Sequence, residues 1–121
     1  MPGLIGAIFT SKTMAVLIYS TVAGQTTQGY DGVLAAVKPY LQNAPGFIMH
    51  FAHPAEGCWK IYEVWESKSE ADKWFAKHVV PNIPKGLHPK RSYAKLHSMV
   101  PGNFPGIMSL VAAHDPRPGS K

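Results

Sequence analysis

The first part of the chain begins with an unbroken apolar run and continues with apolar positions three or four residues apart. The run MAVLIYSTV at 14–22 is rich in branched and aromatic residues, and its length is typical of a buried strand. Gly24 ends the run, and Thr26 or Thr27 can then cap a helix. The stripe of that predicted helix consists of Tyr30, Val33, Leu34, Val37 and Leu41. The pattern therefore predicts a strand followed by a helix with one face toward a core.

Turn-forming residues divide the middle of the chain into two further strands. Asparagine, proline and glycine at 43–46 indicate a turn, and 47–52 then forms the second predicted strand. A loop of hairpin length is predicted at 53–57, with a third strand at 59–65. Because the loop is short, we expect these two strands to pair antiparallel.

A second helix and a fourth strand are predicted in the last third of the chain. Ser67 and Glu70 have the spacing of a capping box, so a helix begins there. Pro81 ends this helix, and 91–100, which includes His97, forms the last predicted strand. The stripe of the second helix consists of Ala71, Trp74, Phe75, His78 and Val79.

The resulting order, β-α-β-β-α-β, predicts an α+β fold of the ferredoxin-like split βαβ type. Both helices then lie on one face of a four-stranded antiparallel sheet. We expect an N-terminal extension at 1–13, this domain at 14–100, and a tail rich in proline and glycine at 101–121.

The third strand predicts self-association, because it carries large side chains on both faces. Trp59, Ile61 and Trp65 alternate with Tyr62 and Val64. Helices on one side of the sheet cover only one of these sets, and the other needs a partner. Two sheets stacked in a symmetric homodimer, a dimeric α+β barrel, are the simplest solution.

Composition narrows the classes of function. The chain has 121 residues, enough for one domain, and a single cysteine, Cys58, which excludes an internal disulfide and a multi-thiolate metal site. Its net charge of +5 comes without an aromatic-interleaved basic motif, so we expect no nucleic-acid partner. The charge can instead steer an anionic small molecule.

Targeting and cofactor signals are also missing from the sequence pattern. The apolar stretch at 3–9 is too short to cross a bilayer, and Lys12 follows it rather than preceding it as in a signal peptide. We therefore expect a cytoplasmic protein with no membrane partner. No phosphate-binding loop, nucleotide fingerprint or metal-ligand cluster is present, so no cofactor is predicted.

Two segments resemble the antibiotic biosynthesis monooxygenase (ABM) superfamily. NAPGFIMH at 43–50 is similar to its helix-to-strand junction, and KIYEVWESKSEADKWF at 60–75 is similar to its signature, with WES after the third strand. The resemblance covers about 14–100. It implies the dimeric barrel and a ligand pocket between the sheet and the two helices of each protomer.

The resemblance also implies a range of activities. The superfamily includes cofactor-independent monooxygenases of anthrone-type polyketides, quinol monooxygenases and haem-degrading enzymes, and related barrels act as polyketide cyclases. The anthrone oxygenases have a strand asparagine and a helix tyrosine where this chain has Ile61 and Ala71. The haem degraders have a histidine where this chain has Pro84, which disfavours haem degradation.

The candidate substrate-binding residues follow from the same comparison and from the helix stripe. Trp65 matches the tryptophan of the WES motif, and Trp74 matches a pocket tryptophan of the haem-degrading members. Each can instead pack in the core. With Phe75 and Ile61 they form the predicted pocket wall.

Three residues are candidates for catalysis. His78 lies one helical turn after Trp74 and can accept a proton. Alternatively, it is only hydrogen-bonded at the end of the helix, where its cation interacts favourably with the helix dipole. His50 can enter the pocket or the dimer interface. Tyr62 and Glu63 lie on opposite faces of a strand, so only one reaches the pocket. We favour Tyr62 as a hydrogen-bond donor there and expect Glu63 to pair with a base across the dimer.

A metal site is not predicted, because His50 and His53 are three apart on a strand and point to opposite faces. The leading hypothesis is therefore a cofactor-independent monooxygenase that acts on a small, apolar aromatic or polyketide-like compound. A polyketide cyclase of the same fold and a non-catalytic protein that binds a small ligand or haem are the alternatives.

Overall fold

A computed structural model describes residues 15–103 and 105–114 of the chain. The predicted element order is confirmed. The strands and helices are β1 (Val16–Ala23), α1 (Thr27–Gln42), β2 (Phe47–Ala55), β3 (Cys58–Trp65), α2 (Lys68–Trp74), β4 (Lys90–Lys95) and α3 (Ile107–Ala113). The sheet has the order β2-β3-β1-β4 and every neighbouring pair is antiparallel, which is the predicted split βαβ arrangement.

Both main helices begin at the predicted caps. The Thr26 side chain accepts a hydrogen bond from the Gly29 amide at 3.0 Å, which satisfies one of the free N–H groups of α1. The Ser67 hydroxyl accepts from the Glu70 amide at 3.2 Å and donates to the Glu70 carboxylate at 3.0 Å. The capping-box spacing therefore fixes the start of α2.

The hairpin between β2 and β3 is tighter than predicted. β2 continues through Pro54 to Ala55, so the connection is only Glu56 and Gly57, and the loop expected at 53–57 is wrong. Pro54 is tolerated because β2 is an edge strand, where a missing N–H costs no interior hydrogen bond. Gly57 has a φ of +71°, a conformation that glycine adopts without strain.

The fourth strand is shorter than predicted. β4 ends at Lys95 rather than at position 100, because it pairs only with β1 and Lys95 already lies opposite Val16, the first residue of that strand. His97, which we expected inside the strand, is outside it and exposed.

The second helix changes its winding as it reaches the sheet. After Trp74 it continues as a π-type turn (Phe75–Val79) and a 3₁₀ turn (Val80–Asn82) that contains Pro81. The Val80 amide bonds the Phe75 carbonyl, five residues back, so the turn is wider than an α-helical turn.

The two faces of the sheet have different surroundings. One face packs under α1 and α2 around Trp65, which is fully buried, and its core residues are Val16, Ile18, Val37, Leu41, Trp65, Ala71 and Trp74. The other face, which we call the open face, carries Tyr19, Met49 and Phe51, each between two-fifths and just over one-half exposed. Within the part of the chain that the structure describes, no helix covers the open face.

A short helix, α3, lies near the C-terminal limit of the described residues. The predicted extension at 1–13 lies outside the described residues, as does Phe104 in the tail. α3 is seven residues long and exposes Leu110 and Val111. Among the described residues, none of the helices has the length and hydropathy needed to span a membrane.

Candidate functional site

A cavity lies between the helix-covered face of the sheet and the two helices above it. We call it the helix-side cavity; its volume is about 70 Å³, and its mouth opens to solvent. Its apolar wall includes Ile18, Val22, Val33, Leu34, Val37, Leu41, Ile61, Trp74, Phe75 and Val79. Its polar wall residues are Ser20, Gln25, Tyr30, His50, Glu63 and Arg91. Few, convergent polar groups in an apolar cavity are typical of a small-molecule site.

Three of these polar residues form a continuous chain of hydrogen bonds, which we call the proton relay (Tyr30, His50 and Glu63). The Tyr30 hydroxyl lies 2.5 Å from His50 Nε2, and His50 Nδ1 lies 2.8 Å from a Glu63 carboxylate oxygen. The other oxygen of that carboxylate accepts a hydrogen bond from Trp65 Nε1 at 2.8 Å. Both oxygens of Glu63 are therefore held in place.

The fold brings the relay together from three elements. His50 on β2 lies directly opposite Glu63 on β3, and such antiparallel neighbours have close side chains. Tyr30 reaches them from the first turns of α1 and stacks flat on Trp59, with ring centroids 4.4 Å apart. The side chains of His50 and Glu63 are only 14% and 13% exposed, so solvent screens their interaction weakly.

The carboxylate determines which nitrogen of His50 carries the proton. An ionised carboxylate only accepts hydrogen bonds, so Nδ1 carries hydrogen and donates to Glu63. Nε2 of the neutral ring then has a free lone pair and accepts from the Tyr30 hydroxyl. A carboxylate that orients a histidine in this way also stabilises the imidazolium that forms when the ring accepts a proton.

The environment of Tyr30 disfavours its phenolate. Burial raises the pKa of Tyr30 well above its usual range, and the negative charges of Glu63 and Asp31 raise it further. A proton that leaves a substrate can nevertheless enter the relay if Tyr30 passes its own proton to His50 in the same step. Tyr30 and His50 both line the cavity, and the hydrogen bond between them allows a proton to pass from one to the other.

At the opposite edge of the sheet, Arg91 on β4 reaches the same cavity. Its guanidinium lies over the Phe75 ring, 4.0 Å from the centroid, and Nη1 donates to Asp72 at 3.0 Å. Burial alone would raise the pKa of Asp72, but hydrogen bonds from Lys68 and Arg91 outweigh it and lower the pKa. Asp72 therefore stays ionised and holds Arg91 against the wall.

Four predicted site residues line the helix-side cavity and three do not. Those that line it are His50, Ile61, Trp74 and Phe75. Trp65 lies beneath the cavity wall in the core, where it bonds Glu63 instead of touching the cavity space. The structure does not bring His78 and Tyr62 to this cavity, and both placements need correction.

His78 lies in a separate outer groove between the end of α1 and α2. There it stacks on Tyr40, with ring centroids 4.6 Å apart and planes at 12°. The predicted shared face with Trp74 is confirmed, since the two ring centroids lie 5.7 Å apart and both residues line the groove. Trp74 borders the cavity and the groove alike, so sharing its face does not bring His78 into the cavity.

Tyr62 lies on the open face, where it stacks on Phe51 and His53. The physical reason is strand alternation: Glu63 shares its face with Ile61 and Trp65, which pack toward the helices. Glu63, which we expected to pair across a dimer, is therefore the residue of this pair that lines the cavity.

Sequence reasoning missed two members of the relay. The sequence could have indicated Glu63, since it is two residues from the buried Trp65 on β3 and therefore lies on the same face of the sheet. Tyr30 was counted only as an apolar member of the α1 stripe, and the sequence carries no sign of its contact with His50, which is 20 positions away.

The histidines do not form a metal centre in the described part of the chain. His50 bonds Glu63 on the helix side, whereas His53 lies on the open face and its Nδ1 bonds the Pro54 carbonyl. Among the described residues, no three histidine, cysteine, aspartate or glutamate side chains come together at metal-binding distance.

Comparison with known proteins relates this chain to others through its fold. No protein-family model and no curated protein sequence matches it. SnoaB, a cofactor-independent oxygenase from Streptomyces nogalater, superposes with a TM-score of 0.56 at 13% identity, over 74% of this chain and 100% of SnoaB. The monooxygenase from the gene ActVA-Orf6 of Streptomyces coelicolor, solved with Nanaomycin D, superposes with a TM-score of 0.52 at 14% identity, over 74% and 94%. The chain therefore has the fold of the ABM-type monooxygenases, as its sequence predicted.

The two buried tryptophans allow a test of how Glu63 is held. Trp65→Phe removes the indole N–H that donates to Glu63 and leaves a largely buried carboxylate oxygen without this partner. Trp74→Phe removes an indole N–H that has no partner among the described residues. Both changes remove a similar volume. We expect Trp65→Phe to lower the free energy of unfolding by about 2 kcal/mol more than Trp74→Phe, measured by urea denaturation. Equal losses would contradict the assigned hydrogen bond.

Proposed function

We propose that this protein is a cofactor-independent monooxygenase of a small aromatic or polyketide-like compound that binds in the helix-side cavity. The observation that carries the proposal is the proton relay. Its phenol, Tyr30, lines a cavity whose wall is otherwise largely apolar, and it is hydrogen-bonded to His50. Cofactor-free oxygenation needs a substrate that becomes electron-rich, and removal of a proton achieves this.

The relay supplies the proton acceptor. The acidic O–H or C–H bond of the substrate breaks, its proton goes to the Tyr30 oxygen, and the Tyr30 proton goes to His50 Nε2. Glu63, 2.8 Å from Nδ1, stabilises the imidazolium. Because the proton moves through Tyr30 in one step, no tyrosinate accumulates, consistent with the raised pKa of that phenol.

The substrate itself supplies the electrons for oxygenation. Its carbanion forms a C–O bond to O₂, the O–O bond then breaks, and one oxygen remains as a carbonyl. The other oxygen leaves as water with the two hydrogens of the oxidised CH₂ group. Apolar walls such as Ile61, Trp74 and Phe75 exclude water, which would otherwise solvate and deactivate the carbanion.

The structural neighbours support the same class of chemistry. SnoaB is described as a cofactor-independent oxygenase, and the ActVA-Orf6 monooxygenase was solved in complex with Nanaomycin D. A cyclase would also begin by deprotonating its substrate, so the relay alone does not separate the two reactions. Consumption of O₂ does, since a cyclisation needs none.

Anthrone, a tricyclic ketone with an acidic CH₂ group, is a suitable probe. We expect the protein to consume one O₂ for each anthraquinone formed, followed with an oxygen electrode and by absorbance. His50→Gln removes the proton acceptor and is expected to lower the rate about a hundredfold or more. His78→Gln, outside the cavity, is the matched control and is expected to retain the rate within about twofold.

Three results would contradict this proposal. An equal loss in both histidine variants would remove the relay from the mechanism. Conversion of the probe without O₂ uptake would contradict an oxygenase reaction. Failure of the protein to accelerate anthrone oxidation would exclude the proposed activity on this class of tricyclic compound.

We also propose that two chains associate through their open faces. Tyr19, Met49 and Phe51 expose an aromatic and apolar surface there, continued by Tyr62 between them. Apolar area of this kind on a sheet is usually covered by another layer. A second copy placed face to face covers both sheets at once.

A charge placed on the open face tests this association. Sedimentation of the unchanged protein at micromolar concentration is expected to give twice the mass of one chain. Phe51→Glu, at a residue 47% exposed, is expected to give single chains because it buries a charge in the contact. Tyr40→Glu, at an aromatic residue 56% exposed on the helix side, is the control and should remain paired. A single-chain mass for the unchanged protein would contradict the proposal.

A further inference from the structure

The helix-side cavity carries different chemistry at its two ends. The proton relay lies at the β2 edge of the sheet, and Arg91 lies at the β4 edge. Arg91 is opposite Ser20 on β1, Ser20 is opposite Ile61 on β3, and His50 is on the next strand. The two ends are therefore three strand intervals apart, about 14 Å across the sheet.

Arg91 is bound to the wall through only part of its hydrogen-bonding capacity. Nη1 donates to Asp72, and the guanidinium carbon lies 4.0 Å from the centroid of the Phe75 ring. A guanidinium has five N–H groups in a planar fork, so donors remain for a ligand. The side chain is 20% exposed, which is enough to contact a ligand in the cavity while water screens it little.

The charges around Arg91 leave an excess of one positive charge. Asp72 is shared, because one of its oxygens bonds Arg91 at 3.0 Å and the other bonds Lys68 at 2.6 Å. Two cations therefore face one carboxylate. Tyr93, the next β4 residue on this face, adds an aromatic ring beneath Lys68 and no charge. A group with a single negative charge is the complement of this cluster.

We propose that Arg91 binds a carboxylate of the substrate, so that the cavity selects a flat, multi-ring aromatic acid whose acidic O–H or C–H group lies at the far end, beside Tyr30. This inference rests on the proposed function, which makes the cavity a substrate site. A planar carboxylate matches the guanidinium fork in shape and charge. The apolar wall between the two ends, including Ile18 and Val37, contacts the rings.

The direction in which the substrate binds determines which of its groups lies beside Tyr30. With the carboxylate held at Arg91, the rings lie across β1 and β3, and only the end of the molecule that reaches Tyr30 can lose a proton to the relay. Arg91 is then a specificity-determining residue. It acts on which compound binds and in which direction, and it takes no part in the proton transfer itself.

A matched pair of fluorescent probes separates this role from catalysis. Anthracene-2-carboxylate and anthracene-2-carboxamide have the same rings and differ in charge, and neither has to react. We expect the unchanged full chain to bind the carboxylate about tenfold more tightly than the amide, measured by fluorescence titration at low ionic strength. Arg91→Gln is expected to abolish this preference and to leave amide binding within about twofold.

Three further variants control for folding and for the relay. Arg91→Lys keeps the charge without the fork and is expected to retain part of the preference. Asp72→Asn removes the competing carboxylate and is expected to increase carboxylate affinity, which a merely unfolded protein would not do. Tyr30→Phe, at the other end of the cavity, is expected to leave the preference unchanged.

The outcomes distinguish this inference from the proposed function. Equal affinities of the unchanged protein for the two probes, a preference that survives Arg91→Gln, or no binding of either probe would overturn the role of Arg91. A preference that depends on Arg91, in a protein that does not consume O₂ with anthrone, would support the anchor and contradict the monooxygenase.

Discussion

The hydrogen bond between Glu63 and His50 is the contact on which the rest of the site depends. It places a carboxylate, which Trp65 also holds, next to an imidazole in a weakly screened region under α1. The carboxylate assigns the proton to Nδ1, leaves Nε2 as an acceptor, and prepares the ring to become a cation. Without it, neither the tautomer of His50 nor the direction of its hydrogen bond with Tyr30 would be fixed.

Strand alternation gives the two faces of the sheet different side chains. Neighbouring residues on β3, Tyr62 and Glu63, point to opposite faces, so the chemistry of the cavity and the aromatic surface of the open face come from the same strand. A shift of one residue in register would exchange the two sets. The buried Trp65 favours this register, because its large apolar ring is removed from water only on the helix-covered side.

The periodicity of apolar residues predicted most of the fold. It failed where the packing of distant parts of the chain decides the local structure. The caps at Thr26 and Ser67 and the order of elements follow from short-range spacing. The extension of β2 through Pro54 depends on that strand lying at an edge. His78 contacts Trp74 as its spacing predicts, but the Trp74 ring borders both the cavity and the outer groove, and His78 lies in the groove. Periodicity reveals neither circumstance. In the site, His50 could be predicted. Its partner Tyr30 could not, because their contact depends on where α1 crosses the sheet.

The protonation state of His50 is the most direct test of this account. Long-range ¹H–¹⁵N correlation spectra of the labelled protein, recorded where the ring is neutral, report which nitrogen carries the hydrogen. We expect the hydrogen on Nδ1, with the Nε2 resonance of an unprotonated nitrogen that shifts when Tyr30 is changed to phenylalanine. A hydrogen on Nε2 would contradict the account, since Tyr30 would then have no acceptor for its proton.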